Sequence, residues 1–138
     1  MGWTPPDHWT EVQGQLKLSG QVTLDANGKG YIPFQPGSAR ERWVVTAAYV
    51  STNQTSTATL VPQAFIALNS TDVSTMSAGN QRGSTWSGNQ DTWSGEEDVS
   101  SGDFLSVLFA PPTGQSGTPL SGVIASAVIT GTKYTRRQ

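Results

Sequence analysis

Apolar residues recur at every second position on the approach to a four-residue turn signal near the start of this chain, and that period limits what it can fold into. Leu16, Leu18, Val22 and Leu24 alternate with polar partners, and Asp25-Ala26-Asn27-Gly28 follows. A period of two places alternate side chains on opposite faces of an extended strand, so one face is built for a core and the other for water. Asn-Gly tolerates the positive φ values of a tight turn and is the strongest short-range hairpin signal. With Asn27-Gly28 as a two-residue turn, Leu24 would face Tyr31 and Val22 would face Pro33.

Strand-like runs continue along the chain. Pro36-Gly37 closes the return strand. Trp43 to Val50 is β-branched and aromatic on both faces, as expected of a strand buried on two sides. A polar loop, Ser51 to Thr57, precedes Leu60–Leu68, where Pro62 suits an edge or a bulge because proline cannot donate to a ladder. Residues 69–103 are rich in Ser, Thr, Gly, Asn and acidic residues, with isolated Val73, Met76, Trp86, Trp93 and Val99, and read as short strands joined by loops. Phe104–Phe109 and Val123–Ile129 are compact apolar runs separated by a Pro- and Gly-rich connection. No stretch combines a helical period with caps. Seven to nine short strands predict an all-β fold, an antiparallel β-sandwich of jelly-roll type, over residues 15–135. Residues 1–14 read as an extended arm, because the consecutive prolines of Trp3-Thr4-Pro5-Pro6-Asp7-His8-Trp9 remove donors and hold the backbone open.

Chemistry-bearing side chains are scarce. The 138 residues include one histidine, no cysteine and 13% charged residues, so the raw material for proton transfer, nucleophilic attack and metal ligation is thin. His8 lies in the proline arm, and Gly114-Gln115-Ser116-Gly117 lacks the spacing of a nucleophile elbow. Asp72, Asp91, Asp98 and Asp103 show no spacing that singles out a catalytic pair. Asp25 to Gly30 resembles half a calcium loop, but Lys29 stands at a ligand position and Pro36 where the bidentate Glu belongs. The expectation is therefore a protein with no enzymatic activity, no cofactor and no metal. A net charge of -2 argues against nucleic acid as a partner, and no apolar run approaches the length of a membrane span. The opening residues lack the basic and apolar stretches of an export signal, so the triplets Asn53-Gln54-Thr55 and Asn69-Ser70-Thr71 are not expected to be glycosylated.

Three groups could contact a partner. Trp3, Pro5, Pro6 and Trp9 suit docking along another chain, since proline stiffening lowers the ordering cost, although the arm could equally fold back on its own domain. Lys133, Arg136 and Arg137 form a basic end opposite in sign to Glu96-Glu97-Asp98, and such patches can meet between copies of an oligomer or remain solvated. The echo Thr85-Trp86-Ser87-Gly88 and Thr92-Trp93-Ser94-Gly95 places Trp86 and Trp93 around a turn, where they would stack on a sugar ring or cap the sandwich core.

The last third carries a resemblance. Val99-Ser100-Ser101-Gly102-Asp103-Phe104-Leu105-Ser106-Val107 turns at Gly-Asp into an apolar strand, and Ile124-Ala125-Ser126-Ala127-Val128-Ile129-Thr130-Gly131-Thr132-Lys133-Tyr134 ends the domain. Over roughly residues 43–135 this pattern resembles the small β-sandwich virion proteins of tailed bacteriophages, particularly those infecting actinobacteria: capsid decoration proteins, head fibres and minor tail components. The resemblance implies a homo-oligomer on the outer surface of the virion, made in the host cytoplasm, with the major capsid protein or another virion protein as partner. A cysteine-free composition suits assembly in a reducing cytoplasm. The alternative is a carbohydrate- or receptor-binding module of a tail or fibre, with a host-surface glycan as ligand.

Overall fold

The computed structural model describes residues 11–55, 57–72, 90–136 and the backbone of 82–85. Trp3, Pro5, Pro6, His8, Trp9, Val73, Met76, Trp86 and Arg137 lie outside the described residues.

Among the described residues eight strands form two antiparallel sheets: β1 Glu11–Thr23, β2 Gly30–Phe34, β3 Glu41–Thr52, β4 Gln63–Leu68, β5 Arg82–Thr85, β6 Gln90–Val99, β7 Leu105–Ala110 and β8 Ile124–Arg136. The first sheet has the order β1-β8-β3-β6 and the second β2-β7-β4-β5. Successive strands alternate between the sheets except at β4 and β5, which pair as neighbours, and this is the doubly wound Greek-key order of a jelly roll. The strands outrun the sequence expectation at both ends. β1 begins at Glu11, inside the segment read as an arm, and β8 continues to Arg136, through the segment read as a basic tail.

The core lies between the sheets. Leu16, Trp43, Val45, Ala48, Val50, Val99, Ala125, Ala127 and Ile129 from the first sheet meet Ile32, Phe34, Ala64, Ile66, Leu105, Val107 and Phe109 from the second. Alanines on β3 and β8 leave room for the larger side chains opposite, the size alternation that close packing requires. Trp43 is buried, and its indole N–H donates to the Glu41 carboxylate at 2.8 Å.

The structure corrects three local expectations. The Asn27-Gly28 turn forms, with Gly28 at φ 74° and Asp25 Oδ1 accepting from the Asn27 and Lys29 amides, but it is a corner between sheets and not a hairpin. β1 pairs with β8 and β2 with β7, so Leu24 and Ile32 both point inward, while Tyr31 stays 40% exposed on the outside. The reason lies beside the turn: Leu24 exchanges backbone hydrogen bonds with Val123 and Gly122, which holds the end of β1 in its own sheet.

β3 is not buried on two sides. Its register breaks between Val45 and Ala47, so inward residues shift from Trp43 and Val45 to Ala48 and Val50. One bulge thus makes a one-sided strand read as apolar on both faces. The strand covered on both sides is β7, where outward Ser106, Leu108 and Ala110 are as buried as inward Leu105, Val107 and Phe109. β4, expected at an edge or a bulge, lies between β7 and β5; Pro62 is buried ahead of the strand, where its missing donor costs no ladder bond.

Candidate functional site

The outer face of the first sheet divides into two regions. At one end the charges converge. Glu11 on β1 accepts two hydrogen bonds from the Arg42 guanidinium on β3, at 2.8 and 3.0 Å, reaching across β8. Arg42 lies 4.1 Å above the centroid of the Tyr134 ring on that intervening strand, a cation–π stack. The hydrogen bond from Arg42 holds the Glu11 carboxyl below its usual range, against a smaller opposing effect of burial, and the charges of Arg42 and Arg136 add to the lowering. Arg40, Arg42, Arg136 and Glu11 line a shallow cleft of about 200 Å³ with Ser100 and Ser101.

At the other end the features are smaller, and among the described residues Asp91 is the one charged residue in the lining. Tyr49, 49% exposed, stands beside Ser51, Gln90, Thr92, Ser126 and Val128 in an open groove of about 450 Å³. The β3 bulge puts Tyr49 there; without the shift of face its side chain would point into the core.

The expected site residues fall differently. Lys133 pairs in register with Trp43 and Gly14, which places it on the core-facing side at the end of the sandwich, half-buried. Arg136 stands opposite Glu11. The acidic run 96–98 lies on β6, separated from β8 only by β3, and Val44 pairs with both Asp98 and Thr132. Within one molecule Asp98 thus lies two strands from the basic end, and its charge acts on Arg42. Trp93 pairs with buried Ala48 and packs against the core, where its ring closes over Gly95. That is the core-capping position. Among the described residues no group of three or more His, Cys, Asp or Glu could hold a metal.

Sequence reasoning passes over Glu11, Arg42, Tyr134 and Tyr49. Glu11 falls in the segment that reads as an arm, and its partner is 31 positions away on a strand that is not its neighbour. Tyr49 sits within an apolar run and becomes visible only once the bulge is known.

The chain matches no known family model and no curated protein. Among solved structures, it aligns with a chain in the structure of the infectious bursal disease virus Gx strain at 8% identity and a TM-score of 0.32, covering 94% of this chain and 43% of that one. The chain thus spans less than half the length of its structural neighbour. At that score too little geometry is shared for any property to pass between them, and the jelly-roll assignment rests on strand order alone.

Proposed function

We propose that this protein is a structural component of a bacteriophage virion, a decoration protein that docks on the outer surface of the head and stabilises it. The observation that carries the reading is the pairing of a jelly-roll sandwich with an outer face of Ser, Thr, Gln and Val side chains around Tyr49. Jelly rolls recur in viral capsid proteins, and small neutral side chains lose little hydration when another protein covers them. The mechanism is linkage. A module that binds only the assembled shell stabilises it by mass action, and many weak copies sum to a large effect. No catalytic role is assigned to any residue.

The test is titration onto heads that lack the protein. Saturable, symmetric occupancy and greater resistance of the heads to heat are the expected results; protein that leaves the heads bare would exclude the role. Removing residues 1–10, which spares β1, should abolish attachment while the domain stays folded if the Trp3–Trp9 segment makes the contact.

Tyr49 favours a second reading, a glycan-binding module of a tail or fibre. An exposed ring among hydroxyl and amide side chains offers a stacking face and hydrogen-bond partners for a sugar. Tyr49→Ala would then erase glycan retention, and an unchanged glycan profile would eliminate the reading.

A further inference from the structure

A jelly roll has four sheet edges, and a row of unpaired N–H and C=O groups along any of them can template another strand. Three are defended here. β2 has five residues and carries Pro33, and β5 has four. β6 departs from regular pairing with β3, where Val45 faces Glu97 but Ala47 faces Ser94, and it carries Glu96, Glu97 and Asp98. β1 is different. It runs for 13 residues without proline, and its register with β8 is unbroken from Glu11 to Thr23. Among the described residues only β8 pairs with it, so every second residue turns its backbone groups toward an edge that no described strand occupies.

The side chains along this edge are also incomplete. Val12 and Leu18 lie on the core-facing side of β1, in phase with buried Leu16, yet remain 43% and 37% exposed. β2 covers only the far part of the strand: a Cβ at Gly20 would lie 2.7 Å from Ile32, and one at Gly30 would lie 3.1 Å from Val22 and Leu24. From Val12 to Leu18 no described strand of the second sheet lies alongside.

We infer that the free edge of β1 pairs antiparallel with β1 of a second copy, about a two-fold axis at Gln15, joining two four-stranded sheets into one. The register follows from the residues. With Gln15 opposite Gln15 of the second copy, each exposed Val12 faces the other copy's Leu18, so both apolar gaps close together. Each Lys17 then faces Gln13 and lies diagonal to the other copy's Glu11, within reach of a long side chain. A register centred on Lys17 would set like charges opposite one another, and one centred on Leu18 would leave Val12 uncovered. The contact is self-complementary, as a two-fold interface must be. Its area lies at the small end, below about 1,200 Å², so affinity in solution is weak and a surface that concentrates the copies would strengthen it. Pairing does not depend on particle attachment: heads can remain bare while the copies still pair.

The native chain contains no cysteine, so single thiols report cleanly. Gln15→Cys should be captured as a dimer by a short thiol-specific cross-linker. Gln21→Cys should not, because its two thiols would stand about 40 Å apart along the paired strands. Sedimentation of the native protein should show mass rising toward a dimer with concentration, and Val12→Lys/Leu18→Lys should abolish the rise. Should that double variant fail to fold, the cross-linking pair still decides. A native protein that sediments as a monomer at its solubility limit, with Gln15→Cys captured no better than Gln21→Cys, overturns the inference.

Discussion

β1 and β6 bound the same sheet and solve the edge problem in opposite ways. β6 is irregular against its neighbour, places acidic residues 96–98 along its length, and folds the Trp93 ring inward over Gly95. β1 is long and regular, and leaves apolar side chains half-covered. Edges that must stay solitary acquire bulges and charges, and edges that meet a partner can remain straight. The contrast identifies β6 as a closed boundary and β1 as an open one.

The two regimes meet at Gly131. On one side it continues the unbroken ladder to β1, opposite Leu16; on the other it faces Val45, where the β3 register breaks. A Cβ at Gly131 would overlap the Val44 carbonyl oxygen and press on the Val45 backbone. Neither contact is a flexible side-chain end, so the strands must separate to admit one. Gly131→Val should therefore be the most damaging single change in this sheet, with a loss of roughly 3 kcal/mol or outright failure to fold, measured by urea denaturation. A variant of native stability would show that the bulge does not depend on this close approach, and the division of the sheet would need another cause.

Trp93 tests the closed edge. It packs against the core beside Ala48, Ala64 and Ile66 but is not fully buried. Trp93→Ala should destabilise the domain by roughly 2–3 kcal/mol, less than for a fully buried indole. It should leave glycan retention unchanged beyond what the lost stability explains. A stable variant that loses a bound sugar would reverse both statements and return Trp93 to the ligand-stacking role.

The strands themselves were legible in the sequence, because a period of two survives in Leu16 to Leu24 and in the apolar runs that became β3, β7 and β8. Sheet membership was not. Leu24 and Ile32 point into the same core whether the turn between them is a hairpin or a corner, and only the Leu24 bonds to Gly122 and Val123 decide. The face of each residue was legible until a bulge intervened, so Tyr49 was hidden while Trp43 was not. The open edge left no local signal at all. An edge is defined by what fails to pair with it, and that requires the positions of all eight strands.

The smallest effect concerns what holds the open edge in place. Glu11 begins β1, and its carboxylate reaches Arg42 two strands away while Arg42 rests on Tyr134. Both charged groups are partly solvated, and exposed pairs of this kind contribute roughly 0.2–1 kcal/mol. Glu11→Gln should therefore cost well under 1 kcal/mol in global stability. It should quicken amide exchange locally at Val12 to Gly14, where the strand would fray first. Because Arg42 lowers the folded carboxyl's pKa below its unfolded value, the stabilisation is complete above the ordinary carboxylate range and fades as pH falls through the lowered value. The difference between native protein and Glu11→Gln should close over that acidic window. A difference that persists unchanged below it would mean that the ionised carboxylate is not what holds the first residues of β1. The edge would then owe its order to the β8 ladder alone.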